Sequence, residues 1–118
     1  MQELDREDAK LLTLARGARL RAHAPYTSVS EGAAVRDTDG RTYAAATVEN
    51  NEPTLTTSAL RAAVAAAVSS GARSFEAAVV VSETQAREED LAVLREFGAG
   101  VPVLLAGPDA VVRETLTT

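Results

Sequence analysis

The chain has 118 residues, of which 46% are apolar and 25% are charged, and its formal net charge is −5. These values are typical of one soluble globular domain, here residues 1–118, and they argue against nucleic acids and anionic membranes as partners. Cysteine is absent, which excludes thiolate metal sites, disulfides and cysteine nucleophiles. No stretch is apolar enough to span a membrane, and the charged start M-Q-E-L-D-R-E-D is unlike a signal peptide, so we expect a cytoplasmic protein.

The first half of the chain predicts a helix followed by a hairpin. Apolar residues at helical spacing predict a helix that begins near Asp5 and ends before Pro25. Strands over 32–36 and 41–48 should follow, joined by the turn D-T-D-G.

The second half alternates helices with strands. Helices are predicted over about 58–70 and 87–97, and Thr56 and Thr57 are both candidates to cap the first of these. Buried strands are predicted over 77–81 and 101–106, while the last residues, 111–116, fit either an edge strand or a fraying end. This order implies parallel strands with helices packed on the faces of the sheet.

Four segments carry a family resemblance. Residues 47–62, T-V-E-N-N-E-P-T-L-T-T-S-A-L-R-A, resemble the first catalytic block of the nucleoside-type cytidine deaminases, N-V-E-N-A-S-Y-x-L-T-x-C-A-E-R. Residues 24–34, 67–75 and 93–98 resemble the family's A-P-Y-S-x-F-x-V-G-A-A, A-V-x-x-G-x-x-x-F and V-L-x-E-F-G. The chain is therefore identified as a member of this family. The resemblance implies a three-layer α/β fold, with a mixed sheet of about five strands and helices on both faces.

The positions that carry the family's chemistry differ. Ser58 stands at a metal-binding cysteine and Leu60 at the glutamate that moves protons. Counting back from V-L-R-E-F-G places Arg87 and Asp90 at the two cysteines of the second metal block. Zinc deamination needs both the metal and the carboxylate. We therefore predict that the zinc is lost, that no other cofactor replaces it, and that no residue is catalytic.

These substitutions lead to the prediction of a zinc-free pseudoenzyme with a degenerate pocket, acting as a binding or regulatory protein for a nucleoside, a nucleotide or a small anion. The predicted ligand-binding residues of this vestigial pocket are Thr47, Glu49, Ser58, Arg61, Arg87 and Asp90. The alternative is a structural or interaction subunit, since the resemblance implies a homo-oligomer, a dimer or a tetramer. Residual deamination of cytidine or deoxycytidine is less favoured, and an enzyme with new metal-free chemistry lacks a convincing nucleophile and base.

Arg61 is retained, although in relatives this arginine offsets the charge of thiolates that are absent here. A buried guanidinium needs a partner, so we predict an Arg61–Asp90 ion pair, or a hydrogen-bonded cluster that includes Ser58, in the vacated metal site. The alternatives are an anion held by two helix N-termini with Arg61 and Arg87, or a surface pair between Arg87 and Asp90. The retained Glu49 could accept a ribose hydroxyl, as in relatives, or shape the turn into the second helix.

Overall fold

A computed structural model of the chain describes residues 4–118. Residues 1–3, which begin the charged N-terminal stretch and the domain predicted over 1–118, lie outside the described residues. The elements in chain order are α1 (Arg6–Arg19), β1 (Gly32–Asp37), β2 (Thr42–Ala46), a 3-10 helix (Pro53–Leu55), α2 (Ala59–Ser69), β3 (Phe75–Val81), α3 (Glu88–Arg95), β4 (Pro102–Ala106) and β5 (Val112–Thr117). No helix within residues 4–118 has both the length and the apolar character that a membrane crossing requires.

The five strands form one mixed sheet in the order β2-β1-β3-β4-β5. Strands β3 and β4 run parallel, and the other neighbouring pairs are antiparallel. Helices α2 and α3 pack on one face of the sheet, while α1 packs on the opposite face. The predicted three-layer α/β architecture is therefore confirmed.

Strand β3 is buried on both faces, which explains its continuous run of apolar residues. Side chains alternate between the faces of a strand; Ala78 and Val80 lie in the core under α2 and α3, and Val79 and Val81 lie in the core under α1. Because helices cover both faces, the strand requires a continuous apolar run rather than an alternating one.

The predicted cap of α2 was wrong, because α2 begins at Ala59 and both threonines lie before the capping position. Thr57 lies in an isolated backbone bridge with Val48, and the Thr56 hydroxyl accepts a hydrogen bond from the Asn50 backbone N–H at 3.0 Å. Ser58 is the cap, and its hydroxyl accepts from the backbone N–H of Arg61 at 3.3 Å. The cap therefore lies at the position that the sequence comparison assigned to a metal ligand.

The C-terminal segment is an edge strand. Residues 112–117 pair with β4 in an antiparallel ladder. The Thr118 backbone N–H extends this pairing by donating to the Val101 carbonyl at 3.0 Å, and the Thr118 hydroxyl donates to the Gly98 carbonyl at 2.9 Å. These bonds decide between the two alternatives that the sequence left open, since a fraying end would lack them.

The backbone of α1 approaches the sheet closely at Gly32, the first residue of β1. A Cβ atom placed on Gly32 would lie 2.1 Å from the carbonyl oxygen of Ala15 and 2.4 Å from the backbone nitrogen of Arg19. Both atoms belong to the backbone of α1, so no side chain can move aside. Glycine is the residue that permits this contact between the layers.

Candidate functional site

A cleft of about 540 Å³ opens where the ends of β2, α2 and α3 meet the loop before β1 and the loop after β3. All six residues predicted to bind a ligand border this cleft: Thr47, Glu49, Ser58, Arg61, Arg87 and Asp90. The structure therefore brings together residues that are up to 43 positions apart in the chain, from Thr47 to Asp90. Their role in binding stays a prediction.

Ser58 and Asp90 join the two helices that border the cleft. The Ser58 hydroxyl donates to Asp90 Oδ1 at 2.8 Å, and the two residues are only 7% and 6% exposed. Since the same hydroxyl oxygen also caps α2, one side chain both begins that helix and ties it to α3. This is the second of the two predicted arrangements, a hydrogen-bonded cluster that includes Ser58.

Arg87 links Asp90 to a second buried carboxylate, Glu31. Arg87 Nε donates to Asp90 Oδ2 at 3.1 Å, and Nη2 donates to Glu31 Oε1 at 2.6 Å. The other oxygen of Glu31, Oε2, accepts from Ser82 Oγ at 2.7 Å and from Thr84 Oγ1 at 3.2 Å. Burial lowers the pKa of Arg87, but the hydrogen bond and charge of Glu31, followed by those of Asp90, raise this pKa by more. The guanidinium therefore stays charged.

The predicted Arg61–Asp90 ion pair was wrong. Arg61 is exposed, and within residues 4–118 no carboxylate lies within 4 Å of its guanidinium. Water can solvate this charge, so Arg61 does not need the buried partner that the prediction assumed. Arg87 takes that partner instead; its pair with Asp90 has the predicted i,i+3 spacing, but the carboxylate is buried rather than on the surface.

Glu31 is the residue that motif comparison missed. It stands at the valine of the family's F-x-V-G-A-A, in a segment that keeps the pattern's A-P-Y and G-A-A but has Val29 at its phenylalanine. One signal could have found it: an acid immediately before a strand of buried small residues is rarely left without a partner. Glu31 is 4% exposed, and Arg87 is the cation that it pairs with.

Glu49 holds the turn that precedes β1. Its Oε1 accepts from the backbone N–H groups of Tyr26 at 2.9 Å and Thr27 at 3.3 Å, and its Oε2 accepts from the Thr27 hydroxyl. The Thr27 hydroxyl is the largest cause of a lowered pKa for Glu49; burial opposes it, and the two backbone N–H groups and the charge of His23 add to the lowering. Glu49 thus shapes a turn, although a different one from the turn into α2.

Replacing Glu49 with glutamine should make stability less dependent on pH in the acid range. The pKa of Glu49 lies below its ordinary value of 4.5 in the folded protein, so its ionised form stabilises the fold above that pH. This contribution is lost as the pH falls through the folded-state pKa. Urea unfolding between pH 7 and pH 3 should therefore show a shallower acid loss for Glu49→Gln than for the unmodified protein.

The matched control is Glu114→Gln, because Glu114 is an exposed glutamate on β5 whose side chain makes no hydrogen bond in the described part of the chain. That variant should keep the acid loss of the unmodified protein. Identical pH profiles for Glu49→Gln and Glu114→Gln would contradict the assignment of the lowered pKa to Glu49.

Known proteins resemble this chain in sequence as well as in fold. The sequence model of the family described as "Cytidine deaminase-like" matches residues 4–110. The chain belongs to the cytidine deaminase-like family. A cytidine deaminase of Sporosarcina psychrophila is 35% identical over 111 residues, which cover 90% of this chain and 82% of that protein.

Solved structures of cytidine deaminases have the same fold. The cytidine deaminase of Burkholderia pseudomallei superposes with a TM-score of 0.85 at 31% identity, covering 92% of this chain and 90% of that one. The enzyme of the same name from Mycobacterium tuberculosis gives a TM-score of 0.77 at 29% identity, covering 91% and 88% of the two chains. The likeness of fold therefore extends over about nine-tenths of the chain.

These relatives contradict the prediction of a zinc-free pseudoenzyme, and with it a purely binding, regulatory or structural role. Proteins 31–35% identical over most of the chain are named cytidine deaminase, which points to an enzyme. The prediction gave decisive weight to four substituted positions. It did not include Glu31, which contributes to the same cleft from outside those positions.

The residues at the family's metal positions do not fit a zinc ion. The Ser58 hydroxyl is bound to Asp90, and Arg87 places a permanent cation beside the same carboxylate. Asp90 is thus the one anionic donor among the three, whereas a catalytic zinc takes three protein ligands. Within residues 4–118, no three His, Cys, Asp or Glu side chains are grouped so that they could hold a metal. Leu60 packs in the core and has no group that transfers protons.

Proposed function

We propose that the chain is an enzyme that binds a pyrimidine nucleoside in the cleft and hydrolyses its exocyclic amine. Cytidine or deoxycytidine and water would give the corresponding uridine and ammonia. The observation that supports this most is the location of the cleft, which is bordered by the segments that resemble relatives named cytidine deaminase. Its volume of about 540 Å³ suits a small-molecule site, for which about 300–1,000 Å³ is typical.

The side chains of the cleft suggest which group moves protons. Hydrolysis requires a base that takes protons from water as its oxygen attacks C4, and an acid that returns one to the departing amine. We assign both tasks to Asp90, with Ser58 as the relay, because the hydroxyl borders the cleft and lies 2.8 Å from the carboxylate. The C4–O bond forms as an electron pair moves to N3. The two protons of the water end on N3 and on the amine, and the C4–N bond breaks to release ammonia.

Other parts of the proposal rest on the resemblance. The ribose is placed beside Thr47 and Glu49, which border the cleft on the side of β2. The Thr47 hydroxyl is also used internally, since it accepts from the Glu31 backbone N–H at 3.2 Å. A homo-oligomer, the lack of a cofactor, the lack of nucleic-acid and membrane partners, and the cytoplasmic location all stay predictions.

The test is ammonia release from cytidine and deoxycytidine by the purified protein, with the metal content of the same sample measured. We expect turnover that a chelator does not remove and that Asp90→Asn lowers by about 10²–10⁴-fold, the usual contribution of a general base. Ser58→Ala should also lower it, whereas Ser70→Ala, at the exposed end of α2, should not.

One result would overturn the proposed reaction, and another would overturn the roles given to Ser58 and Asp90. If the folded protein releases no ammonia from either nucleoside, the proposed reaction is wrong. If turnover instead follows the zinc content of the sample, the reaction stands but the roles given to Ser58 and Asp90 are wrong.

A further inference from the structure

Two buried carboxylates fix one guanidinium at the border of the cleft. Glu31 binds Nη2 of Arg87 at 2.6 Å, and Asp90 Oδ2 lies 3.1 Å from both Nε and Nη2. Glu31 is fixed in turn by the hydroxyls of Ser82 and Thr84. With contacts on two sides, the plane of the guanidinium cannot rotate freely, so the direction of its remaining N–H groups is set before any ligand arrives.

The remaining donors are those of Nη1. Within residues 4–118, Nη1 of Arg87 has no hydrogen-bond partner and is not among the buried unpaired atoms. The side chain is 41% exposed, and Arg87 borders the cleft. A fixed, charged N–H group that faces open space is suited to bind an acceptor atom of a ligand.

The charges around the cleft indicate which acceptor this is. Arg87 carries one positive charge, and its two partners, Glu31 and Asp90, carry two negative ones. Glu49 and Glu89 also border the cleft, against one further cation, the exposed Arg61. An anionic group would meet this excess of negative charge, whereas a neutral carbonyl oxygen accepts a hydrogen bond without that repulsion.

We infer that Nη1 of Arg87 binds a neutral carbonyl oxygen of the ligand and that Glu31 is the positioning residue that presents it. The identity of that oxygen, the 2-oxo group of a pyrimidine base, rests on the proposed function. The discrimination against phosphate rests on the charges of the cleft alone. Glu31 touches no substrate atom in this assignment; it acts through Arg87.

Calorimetric titration with three probes tests this inference: cytidine, the cytidine analogue that lacks the 2-oxo group, and cytidine 5′-monophosphate. We expect cytidine to bind at least tenfold more tightly than either of the others. Arg87→Lys keeps the cation but cannot span both carboxylates, so it should weaken cytidine about tenfold and leave the 2-oxo-free analogue unchanged. Glu31→Gln should also reduce the preference for cytidine over the 2-oxo-free analogue. If the lysine variant does not fold, Glu31→Gln alone tests the inference.

The matched control is Glu88→Gln, since Glu88 is the first residue of α3, next to Arg87, but pairs with Arg95 and does not border the cleft. A merely structural role for Glu31 would lower the affinity for cytidine and its analogue equally, which would overturn the inference. Tighter binding of the monophosphate than of cytidine would also overturn the inference, but it would not contradict the proposed function.

The remaining outcomes separate the two proposals. Discrimination by the 2-oxo group without ammonia release supports the inference and contradicts the proposed function. A protein that binds none of the three probes contradicts both.

Discussion

Replacing Arg87 with methionine will lower the free energy of unfolding by about 3–5 kcal/mol, the usual result when one partner of a buried ion pair is removed. Methionine keeps an apolar stem of similar length but leaves Glu31 and Asp90, at 4% and 6% exposure, without their cation. The lower end of the range is expected, because 41% of the arginine side chain is in contact with solvent, which screens part of the interaction. Urea unfolding followed by circular dichroism measures the change.

Arg95→Met is the matched control for this experiment. Arg95 is the last residue of α3, whereas Arg87 immediately precedes that helix; the Arg95 side chain is similarly exposed, at 43%, and pairs with Glu88, which is 73% exposed. Such surface pairs contribute less than about 1 kcal/mol. Adding Glu31→Val to the Arg87→Met variant removes one of the two buried carboxylates that have lost their cation. The double variant should therefore recover part of the lost stability. If both methionine variants lower the free energy of unfolding equally, the carboxylates of Glu31 and Asp90 are solvated and the prediction is wrong.

Replacing Gly32 with alanine will destabilise the protein by more than about 3 kcal/mol, above the usual range for overpacking. The added methyl group would have to lie 2.1 Å from the Ala15 carbonyl oxygen, well inside van der Waals contact. Since this oxygen belongs to the backbone of α1, the whole helix must shift from the sheet. Leu11 and Ala15, two fully buried residues of that helix, would then lose their packing against the sheet.

Gly17→Ala provides the control, because Gly17 lies within α1 and a methyl group there would meet nothing within 4 Å. Alanine is favoured over glycine inside a helix by about 0.5–1 kcal/mol, so this variant should be more stable than the unmodified protein. Thermal unfolding of both variants gives the comparison. A Gly32→Ala protein as stable as the unmodified one would contradict the contact between α1 and β1.

Most of the fold could be predicted from the sequence because local patterns and burial agree. The run that forms β3 is apolar throughout because two layers of helices cover it. The cap of α2 was mispredicted because three hydroxyl residues, Thr56, Thr57 and Ser58, follow one another. Tertiary contacts decide among them: the backbone bridge of Thr57 with Val48, and the hydrogen bond of Ser58 with Asp90.

The site was less predictable, since its contacts join residues from distant parts of the chain. Glu31 and Arg87 are 56 positions apart, and no local pattern indicates that they meet. The exposure of Arg61 depends on which side of α2 faces the core, and a sequence motif does not specify this orientation. Substitutions in two motifs also suggested the loss of catalysis, whereas the likeness of the whole chain to proteins named cytidine deaminase points to an enzyme.

The order of strands in the sheet has a consequence for how the protein folds. The two outer pairs, β1 with β2 and β4 with β5, are joined by short loops over residues 38–41 and 107–111, so closing them costs little chain entropy. The inner pair of β1 with β3 joins residues as far apart as Gly32 and Val81, so closing it costs more chain entropy. We therefore expect mutations in the hairpins to slow folding and mutations between β1 and β3 mainly to speed unfolding.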